Sequence, residues 1–118
     1  MKKLYLLIVL IFTTDAFASP QIYPNLVTYR GEGLLSTKVT LYGVEQPRQV
    51  ELVLLRSLTQ EVSKDISLGL YNLQPNRSID VPIRLTIKTP KDFWICVKSY
   101  DNGFPVRTCT TFKQKSIL

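Results

Sequence analysis

Histidine is absent from this chain, and there are only two cysteines, one tryptophan and one methionine among its 118 residues. Without histidine there is no Ser-His-Asp triad, no side chain that titrates unaided near neutral pH as a general base, and no imidazole to ligate a metal. A pair of carboxylates could still cleave a glycosidic bond. The acids beyond the N-terminal leader are Glu32, Glu45, Glu51, Glu61, Asp65, Asp80, Asp92 and Asp101, scattered along the chain at turns and on polar faces. No phosphate loop, dinucleotide fingerprint, nucleophile elbow or calcium loop is present. The expectation is a protein that is not an enzyme, with no catalytic residues, no metal site and no cofactor.

Dense runs of like charge are missing too. The full chain carries +6. No cluster of adjacent Lys or Arg forms a patch of the kind that grips nucleic acid, so no specific nucleic-acid partner is expected.

What is present begins at the N-terminus. "MKKLYLLIVLIFTTDAFAS" has a basic start at Lys2 and Lys3, an apolar run from Leu4 to Phe12, and Ala16-Phe17-Ala18 as a small-residue cleavage site. That is the pattern of a secretory signal peptide over residues 1–18, and its apolar run is too short to span a bilayer comfortably. No later segment is apolar enough to cross, so no transmembrane segment is expected after the leader is removed. Residues 19–118 are then one domain with one modest core. Losing Lys2, Lys3 and Asp15 leaves thirteen basic and eight acidic residues, a net +5. The expected location is outside the cytoplasm, in a bacterial periplasm or the extracellular space.

Export favours an oxidising compartment, so Cys96 and Cys109 read as a disulfide; metal or redox chemistry would call for more ligands or a closer spacing. The stretch between them, "ICVKSYDNGFPVRTC", places Asp101-Asn102-Gly103 between two runs rich in Val, Ile, Phe and Thr. Asn-Gly is the strongest short-range hairpin signal, because a two-residue type I′ turn needs positive φ at both central positions. If Asn102 and Gly103 are those residues, facing positions sum to 205: Asp101 faces Phe104, Tyr100 faces Pro105, Lys98 faces Arg107, and Cys96 faces Cys109. The cysteines fall at a non-hydrogen-bonded pair, where Cα atoms come within about 4.5 Å. Pro105 falls at another, so its nitrogen points away from the ladder and marks an edge or a bulge. Phe93, Ile95, Val97, Val106, Thr108 and Phe112 form the expected core face. Trp94, Cys96, Lys98, Arg107 and Cys109 share the outer face, with Lys98 and Arg107 expected to project to solvent or to meet an anion.

Elsewhere, short segments alternate with period two. Leu35, Thr37, Val39 and Leu41 line one face of "LLSTKVTLYGV"; Ile66, Leu68 and Leu70 one face of "DISLGLYNL"; and Ile79, Val81, Ile83, Leu85 and Ile87 one face of "IDVPIRLTIK". These are half-buried strands. With "QIYPNLVTYR", "QVELVLLRSL" and the two hairpin strands they number seven, which predicts an all-β, immunoglobulin-like antiparallel β-sandwich. The segment 47–64 admits two readings. Val50, Val53, Leu54, Ser57, Leu58, Glu61 and Val62 also fit a helical stripe with Pro47 near its start, which would give an α+β fold instead. The C-terminal "KQKSIL" reads as a frayed end.

The run "LQPNRSIDVPIRLTIKTPKDFWICVKSYDNG", within the span Leu73 to Cys109, resembles the later half of fibronectin type III and other immunoglobulin-like modules. It has a Leu-x-Pro turn, an amphipathic strand, a second Pro turn and an aromatic strand entering a hairpin. The resemblance implies a sandwich used for binding or as a spacer. The sequence departs from that family in pairing its cysteines within one hairpin, and in placing Trp94 beside Cys96 rather than on a separate strand.

The functional expectation is an exported, non-catalytic binding or structural module that contacts a protein partner or an anionic surface polymer through a sheet face or edge. Its candidate binding face is Trp94, Lys98, Tyr100 and Arg107; the competing reading of Trp94 is a half-core indole covering the disulfide. The alternative is a small secreted effector or inhibitor acting through the hairpin tip, residues 100–105. Export has a direct check. Intact mass of the protein recovered outside the cytoplasm should correspond to a chain starting at or near Ser19, and a mass that retains Met1 to Ala18 would refute it.

Overall fold

In the computed structural model, residues 20–101 and 103–115 are described; residues 1–19, which hold the expected leader 1–18, Asn102 of the expected turn and residues 116–118 lie outside them. Eight strands form: β1 (Gln21–Tyr23), β2 (Leu26–Tyr29), β3 (Gly33–Tyr42), β4 (Arg48–Leu55), β5 (Ile66–Leu73), β6 (Ser78–Ile87), β7 (Phe93–Asp101) and β8 (Phe104–Gln114). They assemble into a three-stranded sheet, β1-β3-β6, and a five-stranded sheet, β2-β8-β7-β4-β5. The protein is an all-β sandwich.

The alternating segments supply the core, with one correction to the face expected for β5: Ile66 and Leu70 are exposed, and Tyr71 and Leu73 meet the core instead. Ile22, Val39, Leu41, Val81 and Ile83 enter from the small sheet; Tyr29, Val50, Leu52, Leu73, Phe93, Ile95, Val97 and Phe112 enter from the large one. Phe93 and Phe112 face each other across the hairpin and stack at 4.8 Å between ring centroids, with Tyr29 tilted against Phe93 at 5.7 Å. Such aromatic pairs contribute about 0.5–1.5 kcal/mol each beyond the area they bury. Val106 and Thr108, on the same face but nearer the tip, are half-buried.

Two further expectations about the strands need correction. "QIYPNLVTYR" is two strands, not one. At the cis Tyr23-Pro24 bond the chain leaves the small sheet, where β1 pairs antiparallel with β3, and enters the large one, where β2 pairs with β8. That second pairing is parallel, so the sandwich is not wholly antiparallel. The crossing is fastened by Thr110, whose fully buried hydroxyl donates to the Pro24 carbonyl at 2.6 Å. The tail is also less frayed than expected. Lys113 and Gln114 belong to β8, and the Lys115 N–H donates to the Tyr29 carbonyl at 2.8 Å.

No helix forms over 47–64 beyond a single 3₁₀ turn, Val62–Lys64. The helical stripe was misleading because β4 is buried on both faces. Val50 and Leu52 enter the main core, while Val53 and Leu55 join Cys96 in a second cluster on the opposite side of the sheet. A strand covered on both faces reads as a near-continuous apolar run, which periodicity alone cannot separate from a buried helix. At the other flank of β4, β5 carries a bulge. Leu52 pairs with Gly69 and Val53 with Ser67, leaving Leu68 as the extra residue, and Gly69 takes the positive φ of 148° that a side chain would resist.

The β7–β8 hairpin has the register that sums to 205 at every pair from Asp101–Phe104 to Phe93–Phe112. Gly103 has the positive φ required of the turn, 84°. Cys96 and Cys109 are disulfide-bonded, with Cα atoms 3.9 Å apart. Closing a loop of this size restricts the unfolded chain, so replacing both cysteines with alanine should lower unfolding free energy by about 2–4 kcal/mol while strand content stays unchanged. Chemical denaturation read by circular dichroism checks both halves of that statement.

Candidate functional site

The hairpin register forces Lys98 of β7 to face Arg107 of β8 on the outer side of the large sheet. Two cations held opposite one another cost about 0.2–1 kcal/mol unless an anion intervenes. Two carboxylates do. Glu51 lies beside Lys98 on the neighbouring β4 and accepts from its ammonium at 3.0 Å. Asp65, immediately before β5, is 1% exposed at its side chain; its Oδ1 accepts from Arg107 Nη1 at 2.8 Å, and its Oδ2 lies 3.7 Å from Lys98 Nζ.

The 56–65 connection is what carries Asp65 there. It folds back over the outer face of the sheet, tied by the Arg56 N–H to Gln60 Oε1 at 3.0 Å, by Gln60 Nε2 to Asp65 Oδ1 at 3.0 Å, and by Arg107 Nη2 to the Gln60 carbonyl at 3.2 Å. Behind this cluster, Val53, Leu55 and Cys96 are each at most 1% exposed, with Trp94 and Cys109 half-buried against them. The outer face of the sheet therefore carries a satellite core.

This geometry revises the candidate face. Lys98 is not projected to solvent: it is 6% exposed and engaged by Glu51 and Asp65. Arg107 is half-buried and held by Asp65 and Gln60. The anion they meet belongs to the chain itself. Trp94 packs with the disulfide against the satellite core, the placement of a half-core indole. Tyr100 is 60% exposed, with Lys98 Nζ 6.0 Å from its ring centroid, and at the tip Phe104 is 74% exposed with Pro105 exposed beside it. The structure thus divides the four residues, three fixed in the fold and one, Tyr100, presented with Phe104 at the free end of the hairpin.

One edge adjoins that tip. β2 pairs with β8 only from Thr111 onward, so among the described residues Phe104 to Cys109 have β7 on one side and no strand on the other. Ladder parity aims the N–H and C=O of Arg107 and Cys109 at the open side. The Thr111 N–H, two residues on, obeys the same parity in donating to the Asn25 carbonyl at 2.9 Å. Pro105 lacks a donor where its nitrogen faces the opening.

Comparison with known proteins adds little. No family model and no curated protein matches the chain. Among solved structures, a β-glucosidase from Erythrobacter marinus matches with a TM-score of 0.41 and 15% identity, covering 80% of this chain and 15% of that one. A likeness of that size says nothing about fold family or activity.

The charge cluster sets the pH response. The Lys98 hydrogen bond holds the Glu51 carboxyl below its ordinary value, helped by the Ser67 hydroxyl. For Lys98, burial works against the charge, but the Glu51 hydrogen bond and the charges of Glu51, Tyr100 and Asp65 outweigh it, leaving the amine above its usual value. A depressed carboxyl stabilises the fold above its unfolded pKa and loses that contribution as pH falls; a raised amine contributes below its unfolded pKa and loses it as pH climbs past the folded value. Stability should therefore decline below about pH 4.5, and Glu51→Gln should flatten that acid limb. Lys98→Glu, which would put a third carboxylate beside Glu51 and Asp65 and leave Arg107 alone to offset them, should cost about 3–5 kcal/mol. Urea unfolding across pH measures both.

Proposed function

We propose that this is an exported, non-catalytic binding module that takes up a strand of a protein partner along the open half of β8. The observation that carries the reading is the bare edge from Phe104 to Cys109, ending in the exposed Tyr100 and Phe104. An unpaired edge offers main-chain hydrogen bonds to an incoming strand, and flanking side chains supply selectivity. Aromatic residues concentrate binding energy at protein interfaces. Pro105 limits how far pairing can extend toward the tip, which suits one short partner segment rather than open-ended aggregation.

The immunoglobulin-like resemblance supports the same reading. β1, β3 and β6 share one sheet while β4, β7 and β8 share the other, matching the division of the A, B and E strands from C, F and G in those sandwiches. A closed disulfide is compatible with export. An alternative is favoured by the exposure of the tip alone: a secreted effector that inserts residues 100–105 into a target without strand pairing.

Photo-crosslinking residues placed singly at Tyr100 and Phe104, with controls at Leu70 on β5 and Arg84 on β6, test the edge in cells producing the full chain. One partner should be captured from positions 100 and 104 and not from 70 or 84. In the complex, the Arg107 and Cys109 amides should gain protection from hydrogen exchange. Capture at the tip without that protection would select the effector reading; capture only from the control positions would overturn both.

A further inference from the structure

At the end of the sandwich opposite the hairpin tip, a cavity of about 650 Å³ opens between the end of β6, the 88–92 connection and the end of β4. Its walls include Leu54, Leu85 and Ile87, half-buried side chains packed against the main core, together with Tyr29 and Phe93. We propose that this cavity binds an anionic amphiphile, a small molecule with an apolar body and a single acidic head.

Both halves of that chemistry are built into the site. The Tyr29 hydroxyl is committed, since it donates to the Lys91 carbonyl and accepts from the Lys91 N–H at 3.0 Å, which leaves Thr86 and Thr89 to bring the other hydroxyls to the lining. Leu54, Leu85, Ile87, Tyr29 and Phe93 present ring and aliphatic carbon, in a volume within the range of small-molecule sites. Three cations, Arg56, Lys88 and Lys91, line the same cavity, and none has an ion-pair partner among the described residues. The single carboxylate there, Asp92, is occupied in accepting the Gln114 N–H at 3.1 Å. An apolar pocket with an unbalanced positive mouth selects a negative head by charge and a hydrocarbon body by area.

The mouth is held in place before any ligand arrives. The connection that carries Lys88 and Lys91 is tied to β2 through Tyr29 and to β8 through Asp92. Binding therefore need not order this loop, and preorganisation of that kind favours affinity.

Dodecanoate, dodecanol and dodecyltrimethylammonium, each below its micelle concentration, are the probes for calorimetric titration against the disulfide-intact protein. Dodecanoate should bind roughly tenfold or more tightly than the other two. Lys88→Glu with Lys91→Glu should remove that preference, whereas the charge-matched pair Lys38→Glu with Arg84→Glu on the small sheet should leave it intact. Amide shifts in the unaltered protein give a readout that depends on no variant, and dodecanoate should move residues 54–56 and 85–93. Equal affinity for the three probes, shifts located elsewhere, equal damage from the control pair, or binding to anionic vesicles without binding of free dodecanoate would overturn the proposal.

Discussion

The pairing register of the β7–β8 hairpin constrains nearly everything around it. Once facing residues sum to 205, Cys96 meets Cys109, Phe93 meets Phe112 and Lys98 meets Arg107, while Pro105 turns its nitrogen away from the ladder. A slip of one residue would exchange the two faces, placing the lysine in the aromatic core and Ile95 beneath the 56–65 loop. The turn, the disulfide, the aromatic stack and the ion pairs of Lys98 with Glu51 and Arg107 with Asp65 all favour one alignment, and mutual support of this kind is what gives a sequence a single low-energy fold.

From that register the outer face of the large sheet acquires its own organisation. Two facing cations call for an anion, and Asp65 answers by drawing the 56–65 loop across the sheet. Asp65 is held at one oxygen, where Oδ1 accepts from Arg107 and Gln60, while its buried Oδ2 makes no hydrogen bond among the described residues and has only the Lys98 charge, 3.7 Å away, to offset it. On the same sheet, Val53 and Leu55 bury themselves with Cys96, and Trp94 and Cys109 pack against them. Removing one member of the charge network leaves the others buried without their counter-charge, so the loop and the hairpin depend on one another.

How much of this was legible in the sequence varies by element. The register of the hairpin was readable, since Asn102-Gly103 and the two cysteines are local signals, and the period-two segments disclosed β3, β6 and the existence of β5 together with the class of the fold. The face of β5 was not readable, because the bulge at Leu68 leaves Ile66 and Leu70 exposed and turns Tyr71 and Leu73 to the core. The strand at 48–55 was ambiguous because its outward residues Val53 and Leu55 are apolar too, and what they pack against, Cys96 and Trp94 of β7, is remote in sequence. The exchange of β1 for β2 at Pro24 left no mark in hydrophobic alternation, which cannot say which sheet a strand joins. Of the candidate face, the facing of Lys98 and Arg107 was readable, but their partner was not. Asp65 is one of nine acids in the chain and lies 42 residues from Arg107, a distance that only the folded chain closes.

The pairing of β2 with β8 joins residues 26–29 to residues 111–114, so the first strand of the large sheet finds its neighbour in the last. Contacts this remote in sequence slow folding, because the intervening chain must be closed into a loop before they reward it. For a chain emerging in one direction, from a ribosome or from a translocation pore, the sheet remains unfinished until the final strand is out. Until then, β2 waits with an unpaired edge, and the arrival of Thr111 to Gln114 decides when the sandwich closes.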